Sequence, residues 1–338
     1  MRSATLAWVV LVLPSVSCTS DARGTGVDAA VTDAALDVAA SSQKPAQDAE
    51  SDQSQDAASD SPHPACDPSA PFGAPVLLSG TDPTLNEGGP HLTADELTLY
   101  FSRDGRLVAG GPVWDLFVAH RADTTAPFGP PAPLTTLDST SNELDPMTVT
   151  ELAIFFTSDR LGFNDIFLAT RASTANPFDP PSAVSALDNP SIDAQPFLNA
   201  QPFLRADGAE LWFASDRPGG YGGYDIYRAA AAGNSFASPR QVPEISTPYE
   251  DFTPTLGADG LVVFFSSTRP DGGAQGGADV WTASRAQVTD PFSNVFNVKA
   301  VNSPADDYPG WLSVDGCRLY MSSTRLGTED LYIATRGQ

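Results

Sequence analysis

An all-β propeller of five four-stranded antiparallel blades is the fold this sequence predicts. Three observations predict it: a unit that recurs five times, strands apolar at consecutive positions, and an excess of turn residues. Apolar strands stand at 97–101, 152–156, 211–213, 261–265 and 319–321. A serine-bearing turn follows each and ends in Arg103, Arg160, Arg217, Arg269 or Arg325, at spacings of 57, 57, 52 and 56 residues. A glycine-containing loop then leads to Asp115-Leu116-Phe117, Asp165-Ile166-Phe167, Asp225-Ile226-Tyr227, Asp279-Val280-Trp281 or Asp330-Leu331-Tyr332. Another strand starts near Phe72, Phe128, Phe178, Phe236 and Phe292. The unit closes with an acid three residues before a proline: Glu87, Glu143, Asp193, Asp251 and Asp306. Self-similarity at this period marks stacked units.

Runs such as Ala153-Ile154-Phe155-Phe156 do not alternate, so both faces of the strand are covered. Short strands buried on both faces fit blades stacked round an axis. The 30 prolines and 27 glycines, without helical spacing, support a turn-rich β fold.

The ends fix the blade number. Aligning Arg336 with Arg121 and Arg171, and Pro71-Phe72-Gly73 with Pro127-Phe128-Gly129, puts Gly337 and Cys66 at one register, that of Ala122. The chain stops where its folded part begins, so a strand near 74–78 supplies the outer strand of the blade made by 305–335. Cys66 and Cys317 then fall on one face, opposite the arginine loops, and are expected to form a disulfide that ties the closure. Residues 194–199 recur almost unchanged as 200–205 and read as a duplication that lengthens a loop.

Ahead of the propeller, expected over 66–338, lie two other segments. Arg2, an apolar run from Ala4 to Leu13 and the small residues up to Cys18 form an export-signal pattern over 1–17. Ser15-Val16-Ser17-Cys18 resembles the bacterial lipobox, with Ser15 in place of the usual leucine, which implies acylation at Cys18. The alternative is a simple secreted protein. Thr19-Ser20 in place of an aspartate implies, by the same resemblance, the outer membrane. Residues 18–65 lack aromatics and are rich in Ala, Asp and Ser, so they cannot offset their ordering entropy and read as a disordered tether.

The unit Ser158-Asp159-Arg160-Leu161-Gly162-Phe163-Asn164-Asp165-Ile166-Phe167 resembles the TolB-like, WD40-like β-propeller repeat. Ser215-Asp216-Arg217 with Gly222-Gly223-Tyr224-Asp225-Ile226-Tyr227 matches more fully, and Ala206-Asp207-Gly208 and Ala258-Asp259-Gly260 resemble that family's turn. The resemblance spans about residues 71–338. It implies a propeller and no single activity, since such repeats serve binding proteins, accessory domains of peptidases and surface lipoproteins.

A net charge of −24 excludes a nucleic-acid footprint. It also leaves a lipid anchor as the only expected membrane contact. His63, His91 and His120 form no metal-spaced pair, and neither a Gly-x-Ser-x-Gly elbow nor a phosphate loop occurs, so neither metal nor cofactor is expected. Propeller connectivity places the five acids and five arginines on one face. They read as ion pairs of the scaffold, because a ligand rarely needs five equal copies, with a polar ligand site as the alternative. The arginine-to-aspartate loops vary from 5 to 12 residues, and variation on a regular scaffold is where specificity is built. Trp114, Tyr221, Tyr249 and Tyr308 are therefore the candidate contacts, each with a plain alternative as a loop plug. The leading expectation is a monomeric, non-enzymatic envelope protein that binds a protein or a polar polymer such as polysaccharide or peptidoglycan. The alternatives are a carbohydrate-active hydrolase using axial carboxylates and an envelope scaffold that binds nothing.

Overall fold

The computed structural model describes residues 66–82, 84–109, 111–188, 198–233 and 235–337. The signal and tether, Cys18, His63 and Asp193 lie outside the described residues. Five antiparallel sheets surround an axis. Their inner strands are Glu87–Leu92, Glu143–Thr150, Asn199–Leu204, Asp251–Leu256 and Asp307–Leu312, each in contact with the next around the ring. We number the blades 1 to 5 in that order. The second strands, Thr98–Val108, Ala153–Ser158, Glu210–Ser215, Val262–Ser267 and Arg318–Ser323, carry the consecutive apolar runs. Phe101, Phe156, Phe213 and Phe265 are 0 % exposed because both faces of these strands pack against neighbouring blades.

The third strands begin at Asp165, Asp225, Asp279 and Asp330, and in blade 1 at Gly111, four residues before Asp115, in the strand Gly111–His120. Outer strands are short, and in blade 3 the outer position is divided between Ser235–Phe236 and Arg240–Gln241. Blade 5 takes its outer strand from the chain start: Val76 pairs with Ile333, Leu77 with Tyr332, and Phe72 bridges Arg336. Cys66 and Cys317 are joined in a disulfide with Cα atoms 6.1 Å apart. No helix among the described residues is long and apolar enough to cross a membrane.

Two registers differ from the spacing rule, and both follow from the inner strands. In blades 1, 2 and 4 the acid that ends up beside the arginine stands five residues before the last buried strand position: Glu87 before Leu92, Glu143 before Thr148, Asp251 before Leu256. In blade 5 that position is Asp307, not Asp306, because the proline has moved one residue relative to the strand. In blade 3 it is Asn199, because the second copy of the duplicated hexapeptide forms the strand.

The long segment between Arg103 and Asp115 is not a loose loop. The second and third strands of blade 1 continue through it as a hairpin, with Val108 opposite Gly111. Leu107 near its tip is 79 % exposed.

Candidate functional site

The motif arginines sit in the seams between strands, not in an open ring. Arg160 donates to Glu143 at 2.9 Å, to Ser158 Oγ at 3.0 Å and to the Leu137 carbonyl at 2.7 Å, and lies over the Phe156 and Phe167 rings. Arg269 repeats this with Asp251 at 2.6 Å, Ser267 at 2.8 Å and the Ile245 carbonyl at 2.7 Å, over Phe265 and Trp281. Arg325 pairs with Asp307 over Tyr332, and Arg217 meets the neutral Asn199 at 2.7 Å over Phe213 and Tyr227. Arg103 pairs with Glu87 from the register that serine holds elsewhere, since Glu87 lies opposite Arg103 and Glu143 opposite Ser158. Aromatic faces below and an acceptor at the fork, a carboxylate or in blade 3 the Asn199 amide oxygen, replace the hydration each guanidinium loses.

Asp306 does something else. Its Oδ1 accepts the Ala278 amide of the preceding blade at 2.9 Å. Glu250, Asn142 and Asn86 occupy the same place, accepting the amides of Tyr224, Trp114 and Glu329 at 2.7, 3.2 and 3.0 Å. These four latch adjacent blades. The pattern was readable only as the residue before the ring acid.

The inner strands bulge two residues beyond the ring position. Gly89, Asp145, Gln201 and Thr253 have φ of 60°, 52°, 57° and 50°, each followed by proline. A positive φ is uncommon for residues other than glycine. It is held here by bonds between blades: Asp145 N–H to Ser102 Oγ at 3.0 Å, Gln201 N–H to Thr157 Oγ1 at 2.8 Å, Thr253 N–H to Gln201 Oε1 at 3.0 Å. Blade 5 has Pro309 at this place, whose ring forbids positive φ, and its bulge falls after Pro309.

These bulges line a funnel along the axis. Its mouth, about 410 Å³, is bounded by Asn164, Tyr224, Glu250, Thr268 and Asp306 and therefore opens on the face that carries the arginine loops. Its deeper part, about 330 Å³, reaches His91, Met147 and Phe203. There the His91 ring stands edge-on to Phe203 and Trp311, and burial drops its pKa to about 3, so it is neutral. Trp114, Phe252 and Tyr308 contribute aromatic walls. Neither part is lined by lysine or arginine.

Two acids mark the funnel. Asp145 is bonded by Thr157 at 3.2 Å, yet burial raises its pKa to about 6. Glu329 accepts from Ser322 at 2.7 Å; burial first, then the charges of Asp145, Asp306 and Asp330, raise it to about 7. They approach each other across the glycines of blade 1. A methyl on Gly88 would lie 2.5 Å from Glu329 Oε1, and one on Gly89 3.0 Å from Asp145 Cα. Both keep a face toward the cavity, while the surrounding protein supplies the low dielectric.

Because Glu329 has a raised folded pKa, it adds stability that is complete below its unfolded value of 4.5 and is lost as pH rises through about 7. Glu329→Gln keeps the Ser322 bond and removes the titration. Its melting temperature is expected to fall less than that of the wild type between pH 4.5 and 8, by the equivalent of about 3 kcal/mol. Parallel melting curves would refute the raised value.

Of the aromatic candidates, Trp114 and Tyr308 line the funnel, whereas Tyr221 and Tyr249, 55 % and 46 % exposed, stand outside the lining. Asp145, Tyr224, Phe252 and Glu329 escaped the sequence reading, since none recurs across the blades. A further group, Asp115, Asp138 and Glu143, has carboxylate oxygens within 4.8 Å of one another. Arg106 clamps Asp115 with bonds of 2.5 and 2.6 Å and Arg160 holds Glu143, so guanidinium groups already supply the positive charge there.

No family model matches the chain, and no curated protein matches it. Among solved structures it is similar to TolB from Acinetobacter baumannii, with 16% identity, TM-score 0.41, and coverage of 75% of this chain and 55% of that one. The chain thus spans just over half of that TolB. It is also similar to a putative glycoside hydrolase from Parabacteroides distasonis, with 11% identity, TM-score 0.50, and coverage of 80% and 93%. The catalytic domain of a Coprinopsis cinerea α-L-arabinofuranosidase gives 11% identity, TM-score 0.50, and coverage of 80% and 98%. At 11% identity the two likenesses with TM-score 0.50 show a shared fold and nothing more.

Proposed function

We propose that this is a lipid-anchored binding propeller of the cell envelope that takes a neutral or cationic segment of a polar polymer into its axial funnel. The observation that carries this reading is the composition of the funnel. Asp145, Glu250, Asp306 and Glu329 face the cavity with Trp114, Tyr224, Phe252 and Tyr308, and no lysine or arginine is among the described residues that line it. Carboxylates accept hydroxyl or ammonium protons, and aromatic walls stack on the apolar faces of sugar rings or on cations. The motif arginines, the other ligand candidates, are occupied within the scaffold. Export and the Cys18 anchor belong to this reading through the sequence alone.

Calorimetric titration with neutral, amino and acidic oligosaccharides tests it. Neutral or amino sugars are expected to bind, and Trp114→Ala to weaken them at least tenfold with an unchanged melt. A preference for acidic oligosaccharides that Trp114→Ala removes, or indifference of neutral and amino sugars to Trp114→Ala, counts against the funnel.

The pair Asp145 and Glu329 favours a second reading, a carbohydrate-active hydrolase. Near neutral pH, Glu329 can hold a proton while Asp145 is ionised, which divides acid and base roles. The glycoside hydrolases named above share the fold and lend this reading no more than that. Turnover of the same panel decides between the two: hydrolysis abolished by Glu329→Gln with binding retained establishes the enzyme.

A further inference from the structure

A second set of arginines lies on the opposite face, at the ends of the third strands: Arg121, Arg171, Arg285 and Arg336. All four obey one pattern. Nε donates to a carbonyl in the turn between inner and second strands, that of Glu96, Glu151, Gly260 or Gly316, at 2.6–2.9 Å. Each guanidinium covers a phenylalanine ring, Phe128, Phe178, Phe292 or Phe72. The remaining nitrogens find acceptors in three cases. Arg121 donates to Tyr320 Oη at 3.0 Å beside the Glu96 carboxylate, which lies 3.6 Å away. Arg171 donates to Tyr100 Oη at 3.3 Å, next to Glu151. Arg336 reaches the Ala70 carbonyl.

Arg285, in the seam between blades 3 and 4, differs. It is 6 % exposed and its Nη2 has no hydrogen-bond partner among the described residues. Two substitutions in the repeat explain this. The turn residue that is Glu96 or Glu151 elsewhere is Gly260, which has no carboxylate. The ring that is Tyr320 or Tyr100 elsewhere is Trp212, whose indole can only donate and whose Nε1 is itself buried with no partner among the described residues. More cations gather at this seam. Arg205 Cδ and Arg285 Nη2 stand 3.1 and 3.7 Å from where a Gly260 Cβ would be, and Arg228 lies over Trp212 at 5.7 Å. Arg240 is the cross-strand neighbour of Arg228. The carboxylates are spent on other groups: Glu210 on Arg205 and Arg228, each at 3.0 Å, and Asp207 on Arg205. On Arg285 itself Glu210, and less strongly Asp290, act through charge at a distance.

We propose that this seam is a carboxylate-binding site, where a ligand carboxyl group takes the place that Glu96 and Glu151 fill from within their own seams. The guanidinium offers the fork geometry that suits a carboxylate, and the indole N–H a third donor. Arg285 Nη2 and the indole Nε1 are enclosed, so the ligand enters only when the more exposed side chains beside them, Val288 next to Gly260 and Arg228 over the Trp212 ring, swing aside. The ligand class is a small carboxylic acid or a uronate residue, on the face away from the funnel.

The test is thermal shift and calorimetric titration with galacturonate, acetate and inorganic phosphate, against galactose and chloride at fixed ionic strength. Saturable binding of galacturonate and acetate is expected, weakened at least tenfold in Arg285→Gln. Gly260→Glu installs the internal carboxylate, at a φ of 68° close to the 61° that Glu96 already adopts. It is expected to raise the melting temperature and abolish the ligand effect. Absence of a galacturonate effect, an equal effect in Gly260→Glu, or phosphate binding as tightly as carboxylates would each overturn the assignment.

Discussion

Replacing Arg269 with alanine is expected to remove about 3–5 kcal/mol of stability, read from the urea midpoint, because it strands a buried charge. Asp251 is 0 % exposed, and Arg269 is the cation bonded to it, at 2.6 Å. The loss comes from the carboxylate left behind more than from the pair itself, since burying both charges already costs much of what their attraction returns. Asp251→Asn checks this reasoning. It reproduces the bond that Arg217 makes to Asn199 at 2.7 Å, and is expected to lose less than half as much. An Arg269→Ala midpoint near that of the wild type would return the arginine ring to the list of ligand sites.

Removing the disulfide, as Cys66→Ala with Cys317→Ala, is the second large effect. The cross-link spans 251 residues, for which chain-entropy arithmetic gives roughly 5 kcal/mol as an upper figure. Damage should begin at the closure. The outer strand of blade 5 is two residues long, and among the described residues the backbone bonds beyond it that join residues 66–78 to blade 5 are the Phe72–Arg336 bridge, those of the Gly73 and Leu78 amides and an Asp67 to Gly337 bond. Hydrogen exchange is expected to quicken first at Gly73, Leu78 and Ile333. Uniform quickening over all five blades would show that the closure is not where the ring opens.

The blades themselves were legible because a blade is local. Its strands, turn serine and aspartate lie within one stretch of sequence, and recurrence averages out the accidents of any single copy. Closure was legible too, since Cys66 and Gly337 share a register and only a ring brings such ends together. The spacing rule failed where a residue was counted from the wrong neighbour. Proline slid along the blade 5 strand, so Asp306 became a latch and Asp307 the partner of Arg325. Arg103 took the place of a serine and still met Glu87.

Recurrence therefore identified what the scaffold repeats, and for that reason it could not identify what the funnel holds. Asp145, Gln201 and Glu329 stand in different blades, each once, at positions where the other blades carry something else. Which of them face one another depends on bulges at positive φ and on five strands converging within one cavity, a sum of small rotations that no single segment records. The sequence by itself determined the number of blades, their polarity and the joint that closes them, because those follow from short-range pattern and chain connectivity. Only the tertiary structure decided that the arginines are consumed in the seams and that carboxylates bonded by hydroxyls and amides, with no lysine or arginine lining the funnel beside them, meet on the axis, because both depend on which side chains the closed ring brings together.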